Sequence, residues 1–261
     1  MDLDLSKLMN QNQAVASGSA KLITYQILKG LYYIHSCGVV HGDLKPNCIL
    51  LNSQMNVKLT NFRMSHEIDA IANISNFTTY ELSYKPIEMM FKNNVNNFAS
   101  DVWATGCILA ELLFQNNLFY GHNNRDRLMK IFRFIGKPGV DELAHFSSKA
   151  LMKWYISSIS ANEKDENDDI TFDDKDELAI DLLYKMLAIN PLERYSTREC
   201  LEHPYFDELR EVDDNIFIKS DSKYDWDWYE DVSGYKDIKD HVLQEAGFEN
   251  IALNRSVKSL C

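Results

Sequence analysis

The sequence is short of several things, and each shortage removes a class of function. It has no pair of cysteines at Cys-x-x-Cys spacing. Its five cysteines, Cys37, Cys48, Cys107, Cys200 and Cys261, are scattered and odd in number. That argues against a zinc site or a disulfide frame and for reduced thiols. Basic residues are scarce, 27 Lys and Arg against 39 Asp and Glu, for a formal net charge of −12. This is the wrong sign for neutralising phosphate backbones, so no nucleic-acid partner is expected. No apolar run approaches the roughly 18 to 20 residues that a membrane-spanning helix needs. The start, Met1-Asp2-Leu3-Asp4-Leu5, lacks the basic-then-apolar pattern of a secretory leader. No membrane partner is expected, and the expected compartment is cytoplasmic or nuclear. Internal repeats are missing too. What is present suits one globular domain or one large lobe with appendages: 261 residues, 45% apolar and 11% aromatic.

Hydrophobic spacing gives a mostly α inventory. Leu22, Ile23, Ile27, Leu31 and Ile34 predict a helix over 20–37, with Gly38 placed for a left-handed cap. Val39-Val40, Ile49-Leu50-Leu51 and Val57-Lys58-Leu59 read as short strands, the last two around a turn. Residues 65–98, rich in Asn, Ser and Thr, are expected as a long irregular surface segment. Residues 100–114 are apolar almost all round behind a Ser-Asp start, the pattern of a buried helix. An amphipathic helix over 125–135 should stop at Pro138, and Leu178, Leu182, Leu183, Met186 and Leu187 predict another over 178–188. Ser196 or Thr197 can cap a short helix ending before His203-Pro204. Residues 162–177 hold nine acids against two lysines and read as a solvated loop. The tail from Asp207 is acidic again, but Trp226, Trp228 and Tyr229 suggest that it packs back, and 235–246 could form one last helix.

A series of short motifs carries the chemistry. His41-Gly42-Asp43-Leu44-Lys45-Pro46 follows the first long helix, and Asn61-Phe62-Arg63 comes 18 residues after Asp43. Ser83-Tyr84-Lys85-Pro86-Ile87-Glu88 precedes Asp101-Val102-Trp103-Ala104-Thr105-Gly106, and Pro191-x-x-Arg194 closes the series. In this order and spacing the chain resembles the C-terminal lobe of a eukaryotic protein kinase, more narrowly the mitogen-activated protein (MAP) kinase, or CMGC, branch. The resemblance covers roughly residues 1–212 well and the rest loosely, and a chain of motifs at matched distances is far more specific than any one of them. It implies a mainly α lobe of the α+β kinase fold with a few short strands, over residues 1–206, followed by an acidic extension over 207–261. Met1–Leu5 look like the stretch just after the family's hinge. The N-terminal β lobe, with its Gly-rich loop and strand lysine, is therefore expected to be absent, leaving a nucleotide site with a floor and no roof.

In that family an aspartate accepts the proton of the attacking hydroxyl, and a lysine two residues on contacts the transferring phosphate. The resemblance puts Asp43 and Lys45 in those places, retained but expected to be idle. The two Mg²⁺ ions of the family need an Asn in the catalytic loop and the Asp of Asp-Phe-Gly, hard oxygen donors both. Here those positions hold Cys48 and Asn61, so no intact metal site and no cofactor is expected. Shifting the alignment by one to use Asn47 throws Ile49–Asn52 out of register. Replacing a carboxylate by an amide beside a divalent cation forfeits on the order of 8 kcal/mol of attraction, taking an effective dielectric near 20 and ~4 Å. Even a quarter of that is more than tenfold in rate. Leu50 matches the residue beneath adenine, so Leu50 and Asn61 are what is left of an ATP site.

Other departures point the same way. Gly42 replaces the arginine that would receive a phosphorylated activation loop, and Asn76-Phe77-Thr78 replaces the Thr-x-Tyr phosphosite at both ends. Glu81 takes the place of the threonine that bridges the catalytic pair, and Arg63 that of the flexible glycine. The structural positions are intact. Glu88 and Arg194 match the family's buried ion pair, Asp101 the acid that anchors the catalytic loop, and His41 and Phe62 two stacked spine positions. Glu211 and Asp214 match the acidic patch that docks basic-hydrophobic peptides, although a merely solvated turn is the plainer alternative. The expected function is a catalytically inactive, MAP-kinase-like docking or regulatory module in phosphorylation signalling, with other signalling proteins as partners. The alternative is an ATP- and Mg-dependent serine/threonine kinase of the MAP kinase family, known here only as an N-terminally truncated piece.

Overall fold

The computed structural model describes residues 1, 3–10, 16–68, 82–90, 97–139, 153, 155, 157, 172, 175–220 and 223–224. By internal contacts the chain divides into Met1–Lys223 and Tyr224–Cys261, and the helices and strands described belong to the first unit. Trp226, Trp228, Tyr229, the helix expected over 235–246, Glu81, the Asn76–Thr78 stretch and most of 162–177 lie outside the described residues.

The centre of the lobe is built from two long helices. The first begins the chain's main core: α1 (Leu5–Met9) leads to α2 (Ser17–Ser36), which buries Ala20, Ile23, Thr24, Ile27, Leu28 and Leu31. That is a single face at helical spacing. Gly38 follows with φ +79°, the left-handed turn that glycine adopts without steric cost. The second is α4 (Phe98–Phe114), buried on nearly every side and lying against α2. It begins two residues earlier than the start expected at Ser100. Asn97 is its cap, and Ser100 returns the bond in a reciprocal capping box. Asp101, freed from capping, points inward.

The strands are short and frame the loop between α2 and the sheet. β1 (Leu3–Asp4), β3 (Ile49–Leu51) and β4 (Val57–Leu59) form one antiparallel sheet with β3 in the middle, in register Leu3↔Leu51 and Ile49↔Leu59. A two-residue β2 (Val39–Val40) pairs with β5 (His66–Glu67), which sequence patterning did not suggest. Both pairings pinch the loop over 41–48 from either end.

Part of the segment expected as irregular surface is neither irregular nor on the surface. Leu82–Tyr84 form a 3-10 turn and α3 (Ile87–Met90) follows, with Ser83, Tyr84, Ile87, Glu88 and Met89 buried. The cause is long-range. The Tyr84 hydroxyl donates to Glu111 at 2.6 Å, and the Arg127 guanidinium donates to the Ser83 carbonyl at 3.1 Å. Local composition has no access to partners tens of residues away.

The remaining helices complete the core. α5 (Asn124–Ile135) ends where the pattern over 125–135 predicts, and Gly136, with φ +94°, follows it directly, two residues before Pro138. α6 (Glu177–Met186) packs on α4 through Ala179, Leu182, Leu183 and Met186, while Leu178, expected inside, is 44% exposed. α7 (Thr197–Glu202) is closed by a Ser196–Glu199 capping box, and α8 (Asp207–Arg210) follows a Pro204–Phe206 turn. Beyond α8, Asp213 receives the Tyr25 hydroxyl at 3.1 Å and pairs with Lys29, so residues 207–220 belong to the first unit. Among the described residues no helix is long and apolar enough to cross a membrane.

Two buried charges fix this framework. Arg194 grips Glu88 through both guanidinium nitrogens at 2.8 and 3.1 Å, donates to the Ala99 and Ala188 carbonyls, and lies 4.8 Å from the Trp103 ring. Removing one partner strands the other charge in the core. Arg194→Leu should therefore cost about 3–5 kcal/mol in chemical denaturation, whereas the paired change Glu88→Met with Arg194→Leu should recover much of it. A paired variant no more stable than the single one would contradict that account.

Asp101 holds the other end. Its carboxylate accepts from the backbone N–H of His41 at 2.8 Å, of Gly42 at 3.0 Å, and from the His35 ring at 2.9 Å. Burial pushes its pKa up, but the His35 and Gly42 hydrogen bonds and the neighbouring His35 and His41 outweigh this and hold it below the ordinary 3.8. A carboxyl lowered by folding stabilises the native state above its unfolded value, and that contribution fades as pH falls through the lowered native value. Asp101→Asn should flatten the acid limb of the stability curve below about pH 4. An unchanged limb would assign acid sensitivity to other groups.

Candidate active site

The loop held by Asp101 carries the residues singled out from the sequence. His41 is fully buried, with its ring Nε2 3.0 Å from the Thr60 carbonyl and its Nδ1 3.4 Å from the Asp43 N–H. A carbonyl can only accept, so Nε2 carries the proton and Nδ1 receives one. The His41 and Phe62 rings meet at 5.0 Å between centroids, tilted by 54°. They differ in setting, however: Phe62 is 43% exposed, so only one member of the expected stacked pair lies in the core. Gly42 has φ +82°, and both its conformation and its N–H bond to Asp101 depend on the backbone alone.

Asp43 and Lys45 stand side by side, with Lys45 Nζ 3.1 Å from the Asp43 carboxylate and both side chains mostly shielded. Lys45 precedes a 3-10 turn, Pro46–Cys48, that feeds directly into β3. Cys48 at the end of that turn is fully buried. Its thiol donates to the Asp43 carbonyl at 3.3 Å and accepts from the Asn61 side-chain amide at 3.4 Å. Burial pushes the Cys48 pKa up against the pull of the Asn61 hydrogen bond, so the sulfur keeps its proton. Asn61 itself adopts a left-handed backbone, φ 65° and ψ 51°, at the start of the Phe62–Met64 turn. Asparagine is among the few non-glycine residues that tolerate this conformation. Leu50, half-buried, faces the opposite side of β3 from the buried Ile49 and Leu51.

These side chains do not fit a pair of Mg²⁺ ions. Magnesium takes hard oxygen donors, usually carboxylates, in octahedral array. At the two expected ligand positions stand a protonated thiol and a neutral amide, each already engaged with the other, and the Asp43 carboxylate is paired with Lys45. Among the described residues no group of three or more His, Cys, Asp or Glu side chains could hold a metal ion.

Below the loop, Asp43, Lys45, Tyr84, Lys85, Met89 and Ala104 line a cleft of about 330 Å³ that includes space open to solvent. Burial, with a smaller push from the Arg127 charge, lowers the Lys85 pKa. Arg127 was not singled out from the sequence. It is fully buried, donates to the Ser83 carbonyl and to Met90 Sδ, and its own pKa is lowered to about 10 by burial. An arginine on a helix face is ordinarily a surface residue, so nothing in the pattern marked it. His35, the third partner of Asp101, was missed because histidine at a helix end has a plain capping explanation. Glu211 and Asp214 are both exposed at the end of α8, and Val212 between them is 81% exposed. Asp213, which the sequence pattern did not distinguish from its neighbours, is the acid of this turn that is tied inward.

The comparisons with known proteins agree with the geometry. A family model described as "Protein kinase domain" matches residues 1–206. Mitogen-activated protein kinase 6 of Arabidopsis thaliana is 31% identical over 249 residues, covering 94% of this chain and 61% of that protein. Mitogen-activated protein kinase 1 of Oryza sativa subsp. japonica is 30% identical over 245 residues, with 94% and 60% covered. Mitogen-activated protein kinase 5 of Arabidopsis thaliana is 33% identical over 214 residues, with 82% and 56% covered. The chain thus spans about three fifths of the length of the curated relatives it matches. With a matched domain over residues 1–206 and the loop, ion pair and helix arranged as described, the chain belongs to the eukaryotic protein kinase family, among its MAP-kinase-like members.

Proposed function

We propose that this chain is a MAP-kinase-like pseudokinase lobe, which docks other signalling proteins and does not transfer phosphate. One observation carries the reading: the half-buried contact between the Cys48 thiol and the Asn61 amide, at the two positions where the family binds its metal. Phosphoryl transfer works by positioning and by neutralising charge on the phosphates. Asp43 and Lys45 could still orient a hydroxyl, but with no anionic oxygen at either metal position the triphosphate would bring its own charge into a site unable to balance it. Gly42 adds to this, because it offers no guanidinium to order a phosphorylated segment.

Docking is the activity that such a lobe keeps. Glu211 and Asp214 are exposed acids flanking an exposed Val212, a surface that suits a peptide combining lysine or arginine with an aliphatic side chain. Asp213 is spent on Lys29 and Tyr25, which holds the turn rigid beneath them. The second reading, a serine/threonine kinase that needs ATP and magnesium, draws on the retained Asp43–Lys45 pair and on the relatives' names.

Thermal melting with ATP and MgCl₂ separates the two readings. A site filled to a hundred times its Kd stabilises by about 2.7 kcal/mol, which is about 5–10 °C for a chain of this size. The expected result is no shift and no labelling of a generic basic substrate. Mg²⁺-dependent phosphorylation that disappears in Asp43→Ala would establish the second reading instead. For docking, a synthetic basic-hydrophobic peptide should bind with an affinity that falls as salt rises. Its Kd should weaken about tenfold in the double variant Glu211→Lys, Asp214→Lys, about 1.4 kcal/mol. Equal affinity for both proteins would remove this turn from the interface.

A further inference from the structure

Three stretches of chain meet at the Cys48 sulfur. The loop reaches it through the Asp43 carbonyl, to which the thiol donates at 3.3 Å. The turn at 60–64 reaches it through the Asn61 amide, which donates to the sulfur at 3.4 Å. Cys48 itself ends the Pro46–Cys48 turn and leads into β3, and its carbonyl accepts the Thr60 N–H at 2.9 Å. The thiol is therefore both donor and acceptor, and it connects the residue carrying the retained carboxylate to the residue standing where the family has its second metal ligand.

We infer that the Cys48 thiol replaces a bridging cation as the link between the Asp43 loop and the Asn61 turn, so that this corner of the lobe keeps its geometry without metal. The inference rests on the reading that Cys48 and Asn61 stand at the metal positions, and it adds what the substitution does. Loss of the ligands alone would leave the turn loose, since the ion that joined its two sides would have nothing to hold. Here the replacement pair makes its own bond. A single thiol hydrogen bond is weak in water, but Cys48 is fully buried, so the sulfur end of this half-buried bond is shielded from water and the bond retains more of its strength than an exposed one. The geometry is consistent on the other side as well. Asn61 holds a left-handed backbone that aims its amide at the sulfur, and the neighbouring Thr60 and Phe62 are held by the buried His41 ring. The turn is thus secured from two directions, by a thiol and an imidazole, neither of them charged by a metal.

Hydrogen–deuterium exchange on the full chain tests this link, with the backbone amides of residues 60–65 as the readout and those of α4 as the control for folding. Cys48→Ala and Asn61→Gly should each speed exchange in the turn by roughly three- to tenfold. Glycine is chosen at 61 because it accepts the left-handed backbone, so only the amide is lost. The double variant should be no faster than Cys48→Ala alone, since Cys48→Ala already removes the Asn61 bond along with the bond to Asp43. Cys48→Ser, which can still donate and accept, should restore most of the protection. In the unaltered protein, exchange should be the same in EDTA and in MgCl₂. Unchanged exchange in Asn61→Gly, additive effects in the double variant, or slowing of the turn by Mg²⁺ in the unaltered protein would each overturn the inference. Asn61→Gly carries the test by itself if Cys48→Ala fails to fold, because Asn61 is exposed. The outcomes also separate the two proposals. Phosphoryl transfer by the unaltered protein defeats the pseudokinase reading, while an unresponsive turn in a protein that ignores ATP defeats the link alone.

Discussion

The carboxylate of Asp101 bears on every other part of the site, because it anchors the backbone at the start of the loop that carries the chemistry. Two consecutive backbone N–H groups, of His41 and Gly42, end on its two oxygens, and the His35 ring fills the remaining space. Buried N–H groups need partners, and a loop this close to the core has no water to supply them. A single side chain from α4 therefore satisfies the loop and sets its distance from the helix. Asp43, Lys45 and Cys48 inherit their positions from that attachment, as does the His41 ring that steadies the Thr60–Phe62 turn.

Arg194 and Arg127 do for residues 82–90 what Asp101 does for the loop. Arg194 holds Glu88 and the Ala99 carbonyl, and Arg127 holds the Ser83 carbonyl. Both guanidinium groups are buried, and each offers several donors in a fixed fork, which is why one side chain can gather several chain segments. The lobe keeps this costly scaffolding alongside the half-buried contact of the Cys48 thiol with the Asn61 amide. Retention of both buried charge networks fits a protein whose lobe is still under structural constraint. It fits less well a protein that has lost all constraint, since an unpaired buried charge would be among the first defects to unfold it.

Much of the fold was legible in the pattern of side chains. The period of α2, the all-round apolarity of α4 and the two short strands around a turn could be read because each depends on neighbours within a few residues. The misreadings share one cause. Residues 82–90 look like loop by composition, and only Glu111, Arg127 and Arg194 make them core. Leu178 fits the helical period of α6 but sits at its first turn, where Ala179 takes the buried place. At the site, the identities and spacing of Asp43, Lys45, Cys48 and Asn61 were enough to raise the question of activity. They held no information on whether the thiol and the amide touch.

The sequence by itself determined which atoms are available: a carboxylate and an amine at 43 and 45, a thiol at 48, an amide at 61, and a surplus of acid near residue 211. Those are matters of composition and order along the chain, and no folding can change them. Only the tertiary structure decided what these atoms do to one another. It joined Cys48 to Asn61 across 13 positions, tied Asp213 inward while leaving Glu211 and Asp214 outside, and buried Arg127 against Ser83. Such pairings are decided by which groups lose their water together, and that depends on distance in space.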